Sequence, residues 1–225
     1  MTLAKTAIAA IRHKQPDAII IAPALGHKMG EEVLDPGFLE ACLKDGLLPL
    51  IDAVSIHPHV DPEMVGEMYA QVQVLLDTYA TDDRKVAILT TEWGFATNTF
   101  DSDDLQADVL MRMFLMNLSL GIPVTIACVA VDRTEAYVPL EERTYGIVNA
   151  DYTRKAAFVQ LQDMMARLKD MQFHERLPSD PADYVLIFTS GSRRLTAAWT
   201  SGEPHDAVVE SRTVQLSSRP QYFAN

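Results

Sequence analysis

Four short apolar runs punctuate the first part of the chain: AIIIA at 18–22, AVSI at 53–56, VAIL at 86–89 and VTIACVAV at 124–131. Uninterrupted runs of this kind are what strands covered on both faces look like, because no alternate position has to meet water. Between them the apolar residues fall three or four apart. Leu3, Ala7, Ile8 and Ile11 do so over 2–14, which predicts a helix with basic residues on its other side. A short helical pattern at 38–43 stops at Gly46. Residues 62–79 predict a third helix, with Pro62 at its first position and Glu63 in its first turn, both favoured there. The strongest helical pattern is 101–120, where Ser102, Asp103 and Asp104 supply a cap and an acidic first turn. Leu105, Val109, Met113 and Leu120 recur along it, Gly121 closes it, and a last helix is predicted over 155–169. Helix and strand alternate, with connections long enough for crossovers, so the pattern predicts a parallel sheet of right-handed βα units.

From residue 177 the character changes. LPSDPAD reads as a linker, and YVLIF, LTAAWT and DAVVE, with GSRR as a turn, read as short antiparallel strands. The expected division is an α/β domain over 1–176 and a β appendage over 177–225, too small for a core of its own.

Composition narrows the partners more than the fold. A formal net charge of −12 argues against nucleic acid and against an anionic membrane surface. Cys42 and Cys128 lie far apart in apolar settings without metal-type spacing, so buried free thiols are expected. No run approaches membrane-spanning length, and the first residues lack the apolar core of a signal peptide, which makes a cytoplasmic chain the default expectation. There is no GxGxxG and no phosphate-loop lysine motif to suggest nucleotide binding.

The candidate chemistry sits at the strand ends. Residues 86–95, VAILTTEWGF, pass from an apolar run into Thr90, Thr91, Glu92, Trp93 and a flexible Gly94. A carboxylate there is where α/β proteins place reactive groups. One strand earlier, AVSI runs into His57-Pro58-His59. With Asp61, that HxH form is also one that barrel metallohydrolases use for zinc, since alternate residues at a strand end can converge on one ion. Such enzymes need more histidines at later strand ends, whereas His174 and His205 are expected in the last helix and the β tail.

Taken in order, DAVSIHPH, LTTEWG, GIPVTI and YGIVNADYTRKAAF resemble the C-terminal half of a retaining (β/α)8-barrel glycoside hydrolase. The clan is the one that includes cellulases and β-xylosidases, and family 39-like members match best. The resemblance implies a partial TIM barrel, strands five to eight, followed by a small antiparallel β appendage. It places Glu92 on the catalytic nucleophile, which attacks the anomeric carbon to form a glycosyl-enzyme. It places His57 on a histidine that lines the sugar subsite, and His59 where the family usually has an aromatic residue. Trp93 is implied as part of a sugar-stacking floor. The implied partner is a carbohydrate substrate. No cofactor and no metal is implied, since two carboxylates and water carry out this reaction.

The same resemblance exposes differences. The family's acid/base is a glutamate after an asparagine at the fourth strand, and no Asn-Glu pair occurs in this sequence. Glu141 and Glu142 lie on a long loop that could reach the site, but the family uses nothing there as the acid. Ile126, Ala127, Cys128 and Val129 occupy the region of an aromatic platform. Four strands of eight leave an open edge and an uncovered apolar face. The expectation is therefore a truncated glycosidase sequence, or a chain completed by self-association or by a second half-barrel chain. The alternative is a non-catalytic carbohydrate-binding or assembly subunit derived from such an enzyme.

Overall fold

The protein, seen in a computed structural model, is described over residues 1–26, 36–81, 84–99 and 102–224. The Gly-rich loop with His27, the middle of the TDDRK loop and Asp101 at the expected start of the fourth helix lie outside the described residues. Two compact units form. The first comprises Met1–Val60, Met64–Trp93 and Ile122–Ile126, and the second Asp61–Glu63, Gly94–Gly121 and the chain from Ala127 onward.

The first unit is built from α1 (Thr2–Lys14), β1 (Ile21–Gly26), α2 (Pro36–Lys44), β2 (Ala53–His57), α3 (Val65–Tyr79) and β3 (Ala87–Trp93). With β4 (Thr125–Ala127) the strands form one four-stranded sheet in the order β1-β2-β3-β4. The β1–β2 and β2–β3 pairs are parallel, with Leu25 opposite Ile56 and Ile56 opposite Thr90. The apolar run AVSI is buried throughout in β2, as a strand covered on both faces must be.

β1 starts at Ile21, three residues after the run that predicts it, and its register slips between Ile21 and Ala24. Pro23 lies in that slip; a residue with no N–H is tolerated on an edge strand. Along this edge Ile19 and Ile21 are exposed, as are Leu3 (84%) and Ile11 on α1, where only Ile8 is buried. At the opposite ends of the strands, Asp52 accepts from Arg12 Nη2 at 2.6 Å and from the Ile20 amide at 2.8 Å. Arg84 caps the Leu48 and Ile51 carbonyls nearby. The polar clasps thus hold the N-terminal ends and leave the C-terminal ends of β2 and β3 for chemistry.

The strand predicted over 124–131 is shorter than its apolar run. Only Thr125–Ala127 is strand, joined to β3 by the Thr90 amide on the Val124 carbonyl. Beyond it the Ala130 carbonyl accepts from the amides of Ile147 and Val148, and Val131 bridges to Val148. The second half of the run therefore finds its backbone partners outside the parallel sheet. Cys128, expected buried, is only half-buried, and neither cysteine forms a disulfide.

The second unit holds α4 (Asp103–Ser119), α5 (Ala156–Leu168) and six strands: β5 (Gln172–Arg176), β6 (Asp183–Ser190), β7 (Arg193–Thr200), β8 (His205–Val209), β9 (Arg212–Leu216) and β10 (Gln221–Ala224). β5, β6, β7 and β10 form an antiparallel sheet in the order β10-β7-β6-β5, and β8 and β9 pair as a hairpin. His174 is on β5, not in the last helix: the helix ends at Leu168, and Phe173 has moved into pairing with Phe188. Ser102 caps α4 by accepting from the Leu105 amide, with Asp103 and Asp104 in the first turn. α4 buries polar groups as well as apolar ones. Gln106 donates to the Phe95 and Thr144 carbonyls, and Asp108 accepts from Ser218, Arg219 and Gln160.

Candidate active site

The site assembles where β2 and β3 end side by side. Pairing of Ile56 with Thr90 sets His57 beside Thr91 one residue on, so the register places the HxH segment against the TTEW segment. Thr91 holds His57, with its hydroxyl 3.0 Å from Nε2, and Ser55 holds Thr91 through a short hydroxyl contact. On the helix side, Tyr69 of α3 bonds Thr90 at 2.7 Å. The two threonines thus anchor β3 in two directions immediately before Glu92.

After β2 the chain turns sharply. The His59 amide donates to the His57 carbonyl and the Val60 amide to the Pro58 carbonyl, i to i+2 bonds that fold the segment back on itself. The result is that both imidazoles reach one carboxylate. His57 Nδ1 lies 3.8 Å from Glu92 Oε2, and His59 Nε2 lies 3.8 Å from Glu92 Oε1. At that distance these contacts are electrostatic and not hydrogen bonds. With the His57 proton assigned to Nδ1, Nε2 accepts from Thr91 and the N–H faces Glu92. Glu92 is held but not enclosed: its side chain is 46% exposed, while the two histidines are mostly covered.

Glu92 is inside the last turn of the strand rather than past it, since β3 runs to Trp93. Trp93 is completely buried, so its ring packs within the protein and presents no face for a sugar to stack on. Gly94 is required for closeness and not for flexibility: a Cβ there would sit 2.3 Å from the Cys128 carbonyl oxygen and 3.3 Å from the Tyr145 ring. Gly94→Ala is expected to cost about 2–3 kcal/mol, because a carbonyl cannot withdraw as a side chain can. Chemical denaturation checks it, and a variant within about 0.5 kcal/mol of the parent contradicts it.

The predicted trio His57, His59 and Glu92 is thus brought together, and Ser55, Thr91 and Tyr69 are supports that strand periodicity alone did not single out. Among the described residues, the one cluster with three His, Cys, Asp or Glu ligand atoms within 4.8 Å of one another is Asp180, Asp183 and His205. The HxH pair and Glu92 do not form such a cluster. Also among the described residues, no helix is long and apolar enough to cross a membrane.

Three solved structures that share this α/β fold are glycosidases, and this chain spans about half the length of each of the three. A family 39 glycoside hydrolase from the gut symbiont Bacteroides cellulosilyticus WH2 matches 98% of this chain and 53% of its own, with a TM-score of 0.81 and 19% identity. The family 51 α-L-arabinofuranosidase AbfB from Bifidobacterium longum matches 89% of this chain and 50% of its own, with a TM-score of 0.65 and 10% identity. A glucosidase from Croceicoccus marinus matches 97% and 48%, at a TM-score of 0.61 and 16% identity. At these identities the likeness is one of fold. No protein-family model and no curated protein matches the chain.

Proposed function

We propose that this chain carries the nucleophile half of a retaining glycoside hydrolase. In this reading β1 to β4 are strands five to eight of a (β/α)8 barrel, the antiparallel strands are its appended β domain, and Glu92 is the nucleophile. The observation that carries the reading is the half-exposed Glu92 carboxylate at the end of a parallel strand, with an imidazole 3.8 Å from each oxygen. A carboxylate attacks in its ionised form. His57, fixed by Thr91, sets the direction of one oxygen, and His59 does the same for the other. Trp93 contributes as the packed base beneath Glu92 and not as a stacking floor.

The acid/base comes from outside these strands, because the sequence has no Asn-Glu pair. Retaining hydrolysis needs a second carboxylate roughly 5 Å away. The exposed apolar residues Ile19 and Ile21 at the open β1 edge, with Leu3 and Ile11 exposed on α1, suit a second half-barrel, supplied by more of the same protein, another copy or another chain. The substrate is then an O-glycosidic bond of an oligo- or polysaccharide.

The test exploits the missing acid. A 2-deoxy-2-fluoro glycoside with a dinitrophenolate leaving group needs no protonation: the Glu92 carboxylate forms the bond to the anomeric carbon as dinitrophenolate departs with its electron pair. Incubation with a panel of such sugars, followed by peptide mass spectrometry, is expected to show one fluoroglycosyl group on the peptide containing Glu92 and none in Glu92→Gln. Labelling that survives Glu92→Gln, or that falls on another residue, defeats the assignment. The absent acid also favours a second reading, a non-catalytic carbohydrate-binding or assembly subunit. Oligosaccharide binding without labelling, unchanged by Glu92→Gln, supports that one instead.

A further inference from the structure

The second unit carries another cluster of charged groups, independent of the glycosidase reading. Asp180 lies in the LPSDPAD segment, Asp183 is the first residue of β6 and His205 the first of β8. One ligand atom from each lies within 4.8 Å of the others, and the three residues line a cavity of about 600 Å³. The local backbone holds them there. The Asp183 amide donates to the Asp180 carbonyl at 2.9 Å, and Ser179 Oγ and Arg176 Nη2 donate to the Asp183 carbonyl at 2.8 and 3.0 Å.

The donor pattern is unusual for a plain ion pair. The Asp183 side chain is 5% exposed, its Oδ2 lies 3.1 Å from His205 Nε2, and its Oδ1 is buried without a hydrogen-bond partner. A buried carboxylate oxygen left unsatisfied is costly, which makes it a pointer to a missing partner. His205 Nδ1 is 3.0 Å from the Glu203 carbonyl, which can only accept, so Nδ1 carries a proton and Nε2 is the nitrogen presented to the carboxylates. That backbone contact is the kind that fixes the tautomer of a metal-bound histidine. Nε2 therefore faces Asp183 Oδ2, with an Asp180 oxygen within 4.8 Å of both.

We propose that Asp180, Asp183 and His205 bind a divalent transition-metal ion of the zinc class through His205 Nε2 and one oxygen from each aspartate. One imidazole with two carboxylates is a zinc-type donor set, and a water completes four-coordination. Ligand atoms around a tetrahedral zinc stand about 3.4 Å apart, so His205 Nε2 and Asp183 Oδ2, at 3.1 Å, already stand near that spacing and closure falls to Asp180. Asp180, which is exposed, has the freedom to close. The ion ties the segment before β6 to the start of β8, positions far apart in sequence, and so acts as a staple for the β-rich end of the unit.

The test is calorimetric titration of the purified chain with zinc chloride at neutral pH, with thermal unfolding measured alongside. The parent is expected to bind one zinc per chain and to melt at a higher temperature when it does. Asp180→Asn, a surface change that spares the fold, and His205→Gln are each expected to weaken binding on the order of 100-fold. The paired change His57→Gln with His59→Gln leaves the affinity unaltered. Absence of saturable binding overturns the proposal, and so does one-to-one binding that persists in both Asp180→Asn and His205→Gln. Binding abolished by the His57 and His59 pair would relocate the ion to the strand ends and overturn it equally.

Discussion

Glu63→Ala lowers stability by about 3–5 kcal/mol, or roughly 10 °C in melting temperature, far more than a residue at the start of a helix ordinarily would. Glu63 is nearly buried, and Oε1 accepts from the Trp199 indole N–H at 2.9 Å and lies 3.4 Å from Arg112 Nη1, itself nearly buried. Trp199 is fully buried and stacks on Tyr184, with ring centroids 5.0 Å apart and planes 7° from parallel. Alanine at 63 takes the carboxylate away from a covered guanidinium and the acceptor away from a covered indole in one step. Both losses leave buried donors behind, which is what makes the removal of a single partner expensive. Glu63→Gln keeps the acceptor for Trp199 and loses only the charge, so it is expected to cost about 1–2 kcal/mol. Chemical denaturation followed by tryptophan fluorescence reads both. A Glu63→Ala variant within about 1 kcal/mol of the parent would mean that the Glu63 contacts carry little net energy.

Asp132→Ala is the second large effect, again about 3–5 kcal/mol. Lys155 is almost fully buried, and its ammonium meets Asp132 Oδ1 at 2.9 Å, Thr97 Oγ1 at 3.0 Å and the Thr144 carbonyl at 3.2 Å, one acceptor for each of its three protons. Asp132 is tied in turn by the Gly146 amide at 2.8 Å. Without Asp132 the ammonium keeps two neutral acceptors and no countercharge. The double change Asp132→Ala with Lys155→Met removes both charges, so it is expected to be more stable than Asp132→Ala alone by about 1–3 kcal/mol. A double variant that is merely the sum of its two single changes would show that the charges do not depend on each other.

The parallel sheet was readable because its cause is local. AVSI and VAIL are short, apolar and bounded by polar residues, and they became β2 and β3 with the chemistry at their ends. The Glu92–His57–His59 grouping followed from the same rhythm, since parallel strands in register bring their C-terminal ends together. VTIACVAV failed as a strand over most of its length because apolar character does not say which backbone will pair with it, and Ala130 found residues 147 and 148. Glu63 read only as a favourable first-turn acid because its partner Trp199 lies 136 residues away. Asp180 and Asp183 read as linker, since nothing near them in sequence announces His205. Trp93 shows a further limit: an aromatic beside a reactive carboxylate fits a sugar floor and a buried base equally well, and only its enclosure separates the two.

The Glu63–Trp199 bond also sets a timetable for synthesis. Glu63 leaves the ribosome 136 residues before the indole that will donate to it, an interval of roughly 7–27 s at ordinary rates of elongation. Arg112 arrives within that wait and Tyr184 near its end, while β10, which pairs with β7 in the antiparallel sheet, follows Trp199. The second unit can therefore close only after β10 has been made. Until Trp199 is made, a carboxylate destined for the interior of the second unit has no indole to accept from. Nascent chains stalled before Trp199 would hold Glu63 without its indole partner.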